Sequence, residues 1–121
     1  LDKNFNVLYY QIHNDMNIDF SSLEGFEWDS GNLEHIKKHF VTDKECEEVF
    51  LVKPIIVKKD VSHSKIETRY RVLGKTFLDR KLYIIYTVRM SLIRIISARD
   101  LNKKEREKYK VQEVKYESKK I

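Results

Sequence analysis

From Pro54 onward the chain gives up helical spacing for alternation, and the gaps between the alternating stretches are short enough to force hairpins. In "KIETRYRVLG", Ile66, Thr68, Tyr70 and Val72 alternate with Glu67, Arg69, Arg71 and Leu73, the period of a strand with one buried face. "KLYIIYTVR" is apolar on both faces and reads as the central strand. "LIRIISAR" follows after a tight turn at Met90-Ser91. Three strands joined by short turns form an antiparallel meander. "PIIVKKD" reads as an edge strand, with its proline at the start, where a missing N–H matters least.

Before Pro54 the pattern is helical. Leu33, Ile36 and Phe40 recur at helical spacing and predict the buried stripe of a first helix, with Asp29 or Ser30 as its cap. Asn32, His35 and His39 share an adjacent stripe. "TDKE" at 42–45 is a capping box, in which Thr42 caps and Glu45 reaches back. It opens a second short helix with Cys46, Val49 and Phe50 inward. After the meander, "DLNKKEREKYK" predicts a C-terminal helix capped by Asp100 or Asn102. The expected fold is therefore α+β: two short N-terminal helices, a three- to four-stranded antiparallel meander and a C-terminal helix. Residues 24–110 form the single domain and 111–121 a charged tail, which prolongs the last helix or frays. Residues 1–23 read as an extension, disordered or an expression remnant, or else as carrying a strand around "NVLYY".

Three glycines and one proline in 121 residues leave little room for long loops. The 24 lysines and arginines outnumber 19 acids, which favours a polyanionic partner. The single cysteine, Cys46, excludes an intramolecular disulfide and any multi-cysteine zinc site. A reducing cytoplasm is the expected location, and no apolar run approaches the length of a bilayer span.

"HIKKH" at 35–39 has the spacing with which a helix offers two metal ligands. A catalytic zinc needs a third ligand and usually a nearby glutamate. The residues between these histidines are Ile36, Lys37 and Lys38, and the lysines oppose a cation. The alternative is a solvated helix edge. The meander carries Arg69, Arg71, Arg80, Arg89, Arg94 and Arg99 on or beside it. With a two-residue turn at Met90-Ser91, Arg89 pairs with Leu92, so Arg89 and Arg94 share a face and Arg99 points to the other. The side taken by Arg69 depends on the length of the "TFLDRK" turn. Tyr83, Tyr86 and Tyr109 read as packing residues. There is no glycine-rich phosphate loop, nucleophile elbow or carboxylate pair suited to two magnesium ions. Histidine, lysine, arginine and glutamate remain. These are the residue types of metal-independent RNA cleavage, in which a base deprotonates the 2′-hydroxyl, an acid protonates the leaving 5′-oxygen and cations stabilise the phosphoryl charge.

In combination, "FEWDSGNLEHIKKHFVTDKECEEVF", "DVSHSKIETRYRVLGKT" and "LYIIYTVRMSLIRIISARDLNKKEREKY" resemble the BrnT-type toxins of bacterial type II toxin–antitoxin pairs, from about Phe26 to Tyr109. The resemblance implies a RelE-like fold and a ribonuclease that stops translation without a cofactor. It also implies a cognate BrnA-like antitoxin, through which alone DNA would be bound, and no membrane. The matching positions are Trp28, Asp29, Lys38, His39, His63, Glu67, Arg69, Arg89, Arg94 and Arg99. The expected catalytic set is an acid–base pair of His39 and Glu67, with Arg69 and Arg89 on the scissile phosphate. Trp28, Lys38, His63, Arg94 and Arg99 are expected to contact RNA. Asp79 departs from the family pattern, since many members have glycine before Arg80. The rival readings are a non-catalytic RNA- or protein-binding module of the same fold and a DNA-binding domain, the latter without a visible basic helix-turn-helix.

Overall fold

The computed structural model describes residues 23–63 and 66–119; the strand anticipated around "NVLYY" lies outside the described residues. Strand β1 (Gly25–Glu27) leads into helices α1 (Ser30–Lys37) and α2 (Asp43–Val49). Strand β2 (Ile56–Lys59) and a single 3-10 turn (Val61–His63) precede β3 (Arg69–Lys75), β4 (Lys81–Arg89) and β5 (Leu92–Asp100), and helix α3 (Lys103–Ser118) closes the chain. The strand order is β1-β5-β4-β3-β2. The meander is as expected, with β2 on the edge. The fifth strand, β1, pairs in parallel with β5, a long-range pairing that three residues of sequence do not announce. Helix α3 runs on through the first part of the expected tail.

Each helix starts where its cap dictates. Asp29, Thr42 and Asn102 all accept a hydrogen bond from the third helical N–H and complete capping boxes, each worth about 1 kcal/mol. The end of α1 differs from expectation. The helix stops at Lys37, and Phe40, expected in the buried stripe, is 87% exposed with φ 57°. The Val41 N–H donates to the Ile36 carbonyl and the Phe40 N–H to that of Lys37. This is the Schellman arrangement, which puts Phe40 at the left-handed position and turns Val41 inward instead. Asn32 is buried at 4% exposure. Its Nδ2 donates to the Glu27 and Ile95 carbonyls, and its Oδ1 accepts from Asp29 N–H. One satisfied amide thereby ties α1 to β1 and β5.

The core lies on one face of the sheet. Ile36 from α1 and Cys46, Val49 and Phe50 from α2 pack on Val57, Val72, Leu82, Ile84, Tyr86, Ile93 and Ile95. Burial pushes the Cys46 thiol up to about 12, so it is an inert packing group. A Cβ added at Gly74 would lie 2.6 Å from Val49 Cγ1, because helix and strand touch there. Gly74→Ala is expected to lower stability by about 1–3 kcal/mol in chemical denaturation; an unchanged midpoint would show that α2 yields freely.

On the opposite face, Leu101 and Tyr109 cover Leu73, Ile56 and Tyr83. The Tyr109 hydroxyl donates to the Pro54 carbonyl, and Lys75 pairs with Glu113 at 2.9 Å. These contacts fall at one end of the sheet. The row through Thr87 lies four residues further along β4 from Tyr83, about 13 Å.

Candidate functional site

The Met90-Ser91 turn decides which side chains meet. Both residues have positive φ, 48° and 68°, as a two-residue hairpin turn of right-handed twist requires. Arg89 therefore pairs with Leu92, and Arg94 falls opposite Thr87. Across the other edge of β4, Thr87 is opposite Arg69. Directly opposed residues share a face, so Arg69, Arg89 and Arg94 are brought together and the side taken by Arg69 is settled. Thr87 is buried between them, and its hydroxyl donates to the Thr68 carbonyl at 2.7 Å, pinning the start of β3.

Arg99 does not point to the other face. Ile85 pairs with Ser97, but Tyr86 pairs with Ile95, so Ile96 is an extra residue on β5. Such a bulge reverses the parity of everything beyond it. Arg99 therefore stacks over Tyr83, with its guanidinium carbon 4.0 Å from the ring centroid, and grips Glu105 of α3 at 2.8 and 3.1 Å. It clamps α3 to the sheet.

Two of the arginines beyond the cover of α3, Arg89 and Arg94, are held by acids. Glu67 accepts Nε and Nη2 of Arg89 at 2.9 and 2.8 Å. The Arg89 guanidinium holds the Glu67 carboxyl below the usual carboxylate range, with Arg69 and Arg94 adding to the effect. Arg94 bonds Glu27 at 2.8 Å and Asp29 at 2.8 and 3.2 Å, and in return lowers the pKa of Asp29. The same face also carries Lys58 and Arg71, since Lys58 is opposite Arg71 and Arg71 opposite Ile85. These cations, with Arg69, Arg89 and Arg94, outnumber Glu27, Asp29 and Glu67. The patch is fitted to a polyanion that can compete with the carboxylates for the guanidinium groups.

Other expected site residues lie elsewhere. His39 is in the turn after α1, at the opposite end of the sheet. Arg80 donates from Nη2 to the His39 carbonyl at 3.1 Å, and from Nε to Asp100 at 2.8 Å. Arg80 chiefly, and His39 with it, lowers the pKa of Asp100. Asp100 is opposite Leu82, seven residues along β4 from Arg89, so His39 and Glu67 are separated by roughly 20 Å. The expected His39–Glu67 acid–base pair is not assembled. Lys38 is exposed in the same distant turn as His39. Because α1 ends at Lys37, "HIKKH" does not present both histidines from one helix. Among the described residues no three His, Cys, Asp or Glu groups converge as metal ligands. Trp28 packs at the core margin and donates from Nε1 to Glu47 at 2.8 Å, so it is not a stacking platform on the arginine face. The backbone of His63 ends the 3-10 turn that leads toward β3. Asp60, just before that turn, donates its N–H to the Arg69 carbonyl at 2.8 Å, which sets the turn at the Arg69 end. Sequence reasoning missed Lys58 and Glu27, and named Arg71 among the strand arginines without placing it in the site. The alternation that joins Arg69 to Arg71 held the signal for Arg71, whereas Glu27 is placed by the β1–β5 pairing alone.

Residues 28–105 match the family described as ribonuclease toxin, BrnT, of type II toxin-antitoxin system. The chain belongs to the BrnT family. A comparison with curated proteins finds no significant match. The span of the BrnT match takes in Asp29, Glu67, Arg69, Arg89, Arg94 and Arg99, and so includes both the arginine patch and the Arg99 clamp on the first turn of α3. Asp79, where the resemblance leads us to expect glycine, has φ 72°. That is the left-handed region glycine enters without strain, and here an aspartate occupies it while pairing with Lys81 at 2.7 Å. No helix among the described residues is long and apolar enough to cross a membrane.

Proposed function

We propose that this chain cleaves RNA on the arginine-bearing face of the sheet by metal-independent acid–base chemistry. It would thereby inhibit translation in the cytoplasm, under the control of a BrnA-like antitoxin that supplies any contact with DNA. The observation that carries this reading is the convergence of Arg69, Arg89 and Arg94 around Thr87, next to a carboxylate held by one of them.

In the resting protein Glu67 is ionised and engaged by Arg89. A phosphodiester arriving at Arg69 and Arg89 competes for the same guanidinium edge. As Arg89 turns to the phosphate it releases the Glu67 carboxylate, which takes the proton of the 2′-hydroxyl. The 2′-oxygen attacks phosphorus, the bond to the 5′-oxygen breaks, and that oxygen is protonated. The products are a 2′,3′-cyclic phosphate and a 5′-hydroxyl. Arg69 and Arg89 stabilise the charge on the non-bridging oxygens. Arg94, anchored by Glu27 and Asp29, holds flanking backbone. For the acid this reading looks to His63, whose backbone ends the 3-10 turn before β3, in place of His39.

The test is cleavage of a single-stranded RNA by purified protein in excess EDTA, with His39→Ala alongside wild type. Cleavage persists in EDTA, and His39→Ala stays within about twofold of wild type, as expected of a group far from the reacting atoms. Activity abolished by EDTA and restored by a divalent metal would sink the metal-free mechanism. A hundredfold loss in His39→Ala would return that histidine to the chemistry.

A further inference from the structure

Two lysines and an arginine meet where α3 crosses the β2–β3 edge of the sheet. Lys58 stands directly opposite Arg71, and Lys108 comes onto them from α3. The three line a cleft of about 90 Å³ whose apolar wall includes Ile56 and Leu73. Like charges set directly opposite each other destabilise a sheet pair. Lys108 adds a third like charge, and Lys58 first and Arg71 further lower its pKa. The carboxylate lining the cleft, Glu105, is already occupied. It accepts two bonds from Arg99 and one from the Asn102 N–H. Arg71 acts on Glu105 only at a distance, and among the described residues none of the three cations forms an ion pair.

An anion seated between them would turn this repulsion into affinity. The cleft is continuous with the arginine patch, because Arg69 and Arg71 are two residues apart on one face of β3. Their separation of about 7 Å is of the order of that between successive phosphates in a nucleic-acid strand. A cleft of this size fits a phosphate group and not a packed peptide side of an interface. We propose that Lys58, Arg71 and Lys108 form a phosphate subsite for the RNA strand, on the α3 side of the scissile bond. The strand would run along β3 from Glu67 toward α3. This rests on the reading of RNA as the ligand of the face, and extends it to a site that the cleavage chemistry does not use.

The experiment measures binding, apart from cleavage, of a 2′-O-methyl RNA decamer, which has no attacking hydroxyl. Affinity is followed from 50 to 200 mM salt for wild type, Lys108→Gln and the double variant Lys58→Gln/Lys108→Gln. Each phosphate contact on a single strand contributes about 0.7 to the slope of log affinity against log salt. Losing the one phosphate of this subsite is expected to cost the double variant about 0.7 of slope, so its affinity falls roughly 2.6-fold less than that of wild type over this range. Lys108→Gln should lose about half as much slope. Thermal melting should show both variants at least as stable as wild type, since repulsion is relieved; should the double variant fail to fold, Lys108→Gln alone decides.

An unchanged slope overturns the subsite even if wild type cleaves RNA. A reduced slope supports it even if wild type cleaves nothing, in which case the cleavage reading fails alone. Failure of wild type to bind the decamer removes both. Unchanged decamer binding combined with lost binding of polyglutamate overturns the proposal in favour of an acidic protein segment.

Discussion

Arg89→Ala is expected to slow RNA cleavage by about 10²–10³-fold, with folding intact. Removing one donor to a developing oxyanion typically has an effect of this size. Arg89 is a strong case, because in this reading it both meets the phosphate and frees Glu67, which holds two of its N–H groups in the resting protein, and the side chain sits at the end of β4, away from the core. Arg89→Lys should recover only part of the rate, since an ammonium cannot reproduce the two parallel bonds of a guanidinium. Glu67→Gln separates base from scaffold. If Glu67 takes the 2′-hydroxyl proton, Glu67→Gln loses rate on the scale of Arg89→Ala and the acid limb of the pH–rate profile disappears. If Glu67 only aims Arg89, the loss is small and the limb remains. The acid limb should fall below the ordinary glutamate range, because Arg89 favours the ionised carboxyl in the free protein. Single-turnover cleavage with excess protein measures these rates, and a loss under threefold in Arg89→Ala would remove this residue from the site.

Phe50→Ala should be the most damaging single truncation for stability, at about 3–5 kcal/mol. Phe50 is completely buried. Its ring meets Phe26 edge-on at a centroid distance of 5.5 Å and Tyr86 at 5.2 Å. Tyr86 is in turn stacked on Tyr70 at 5.3 Å. The ring thus joins α2 to β1 and β4, and through Tyr86 to β3, on the core side of the strands that carry Arg69, Arg89 and Arg94. With a stability of about 5–15 kcal/mol for a domain, such a loss consumes a large part of the total. In urea, with an m-value of about 2 kcal/mol per molar, the midpoint should drop by about 2 M at unchanged slope. A cost below 1 kcal/mol would mean that the aromatic cluster relaxes around the void.

Where the molecule follows its sequence, the determinants are local. Thr42 and Glu45 start α2 because a hydroxyl and a carboxylate three residues apart satisfy each other's backbone N–H groups. Pro54 lies between the last helix of the first half and the first strand of the meander. Met90-Ser91 closes a two-residue hairpin, and that alone puts Arg89 and Arg94 on one face. The period of two in "ETRYRVL" puts Tyr70 and Val72 in the core and Arg69 and Arg71 opposite. The resemblance to BrnT toxins was readable from Trp-Asp, His-Ser and "RIISAR" taken together, and the family match bears it out.

Where the two part, the deciding interaction is distant in sequence or changes a parity. One extra residue at Ile96 turns Arg99 from the far face to the α3 face, and a bulge leaves no compositional mark in "LIRIISAR". His39 lies where the end of α1 and Arg80 put it, against Asp100 and far from Glu67, although helical spacing and the family pattern favoured it as the catalytic histidine. The parallel seat of β1 on β5 delivers Glu27 to Arg94 across 67 positions of sequence. The crowding of Lys58, Arg71 and Lys108 needs a strand pair and a helix crossing at once. The sequence by itself determined the elements, their caps and the alternation of each strand, because those depend on neighbours within a few residues. The tertiary structure decided which cations meet, because that depends on strand register, and a register is set only when the whole sheet closes on its core.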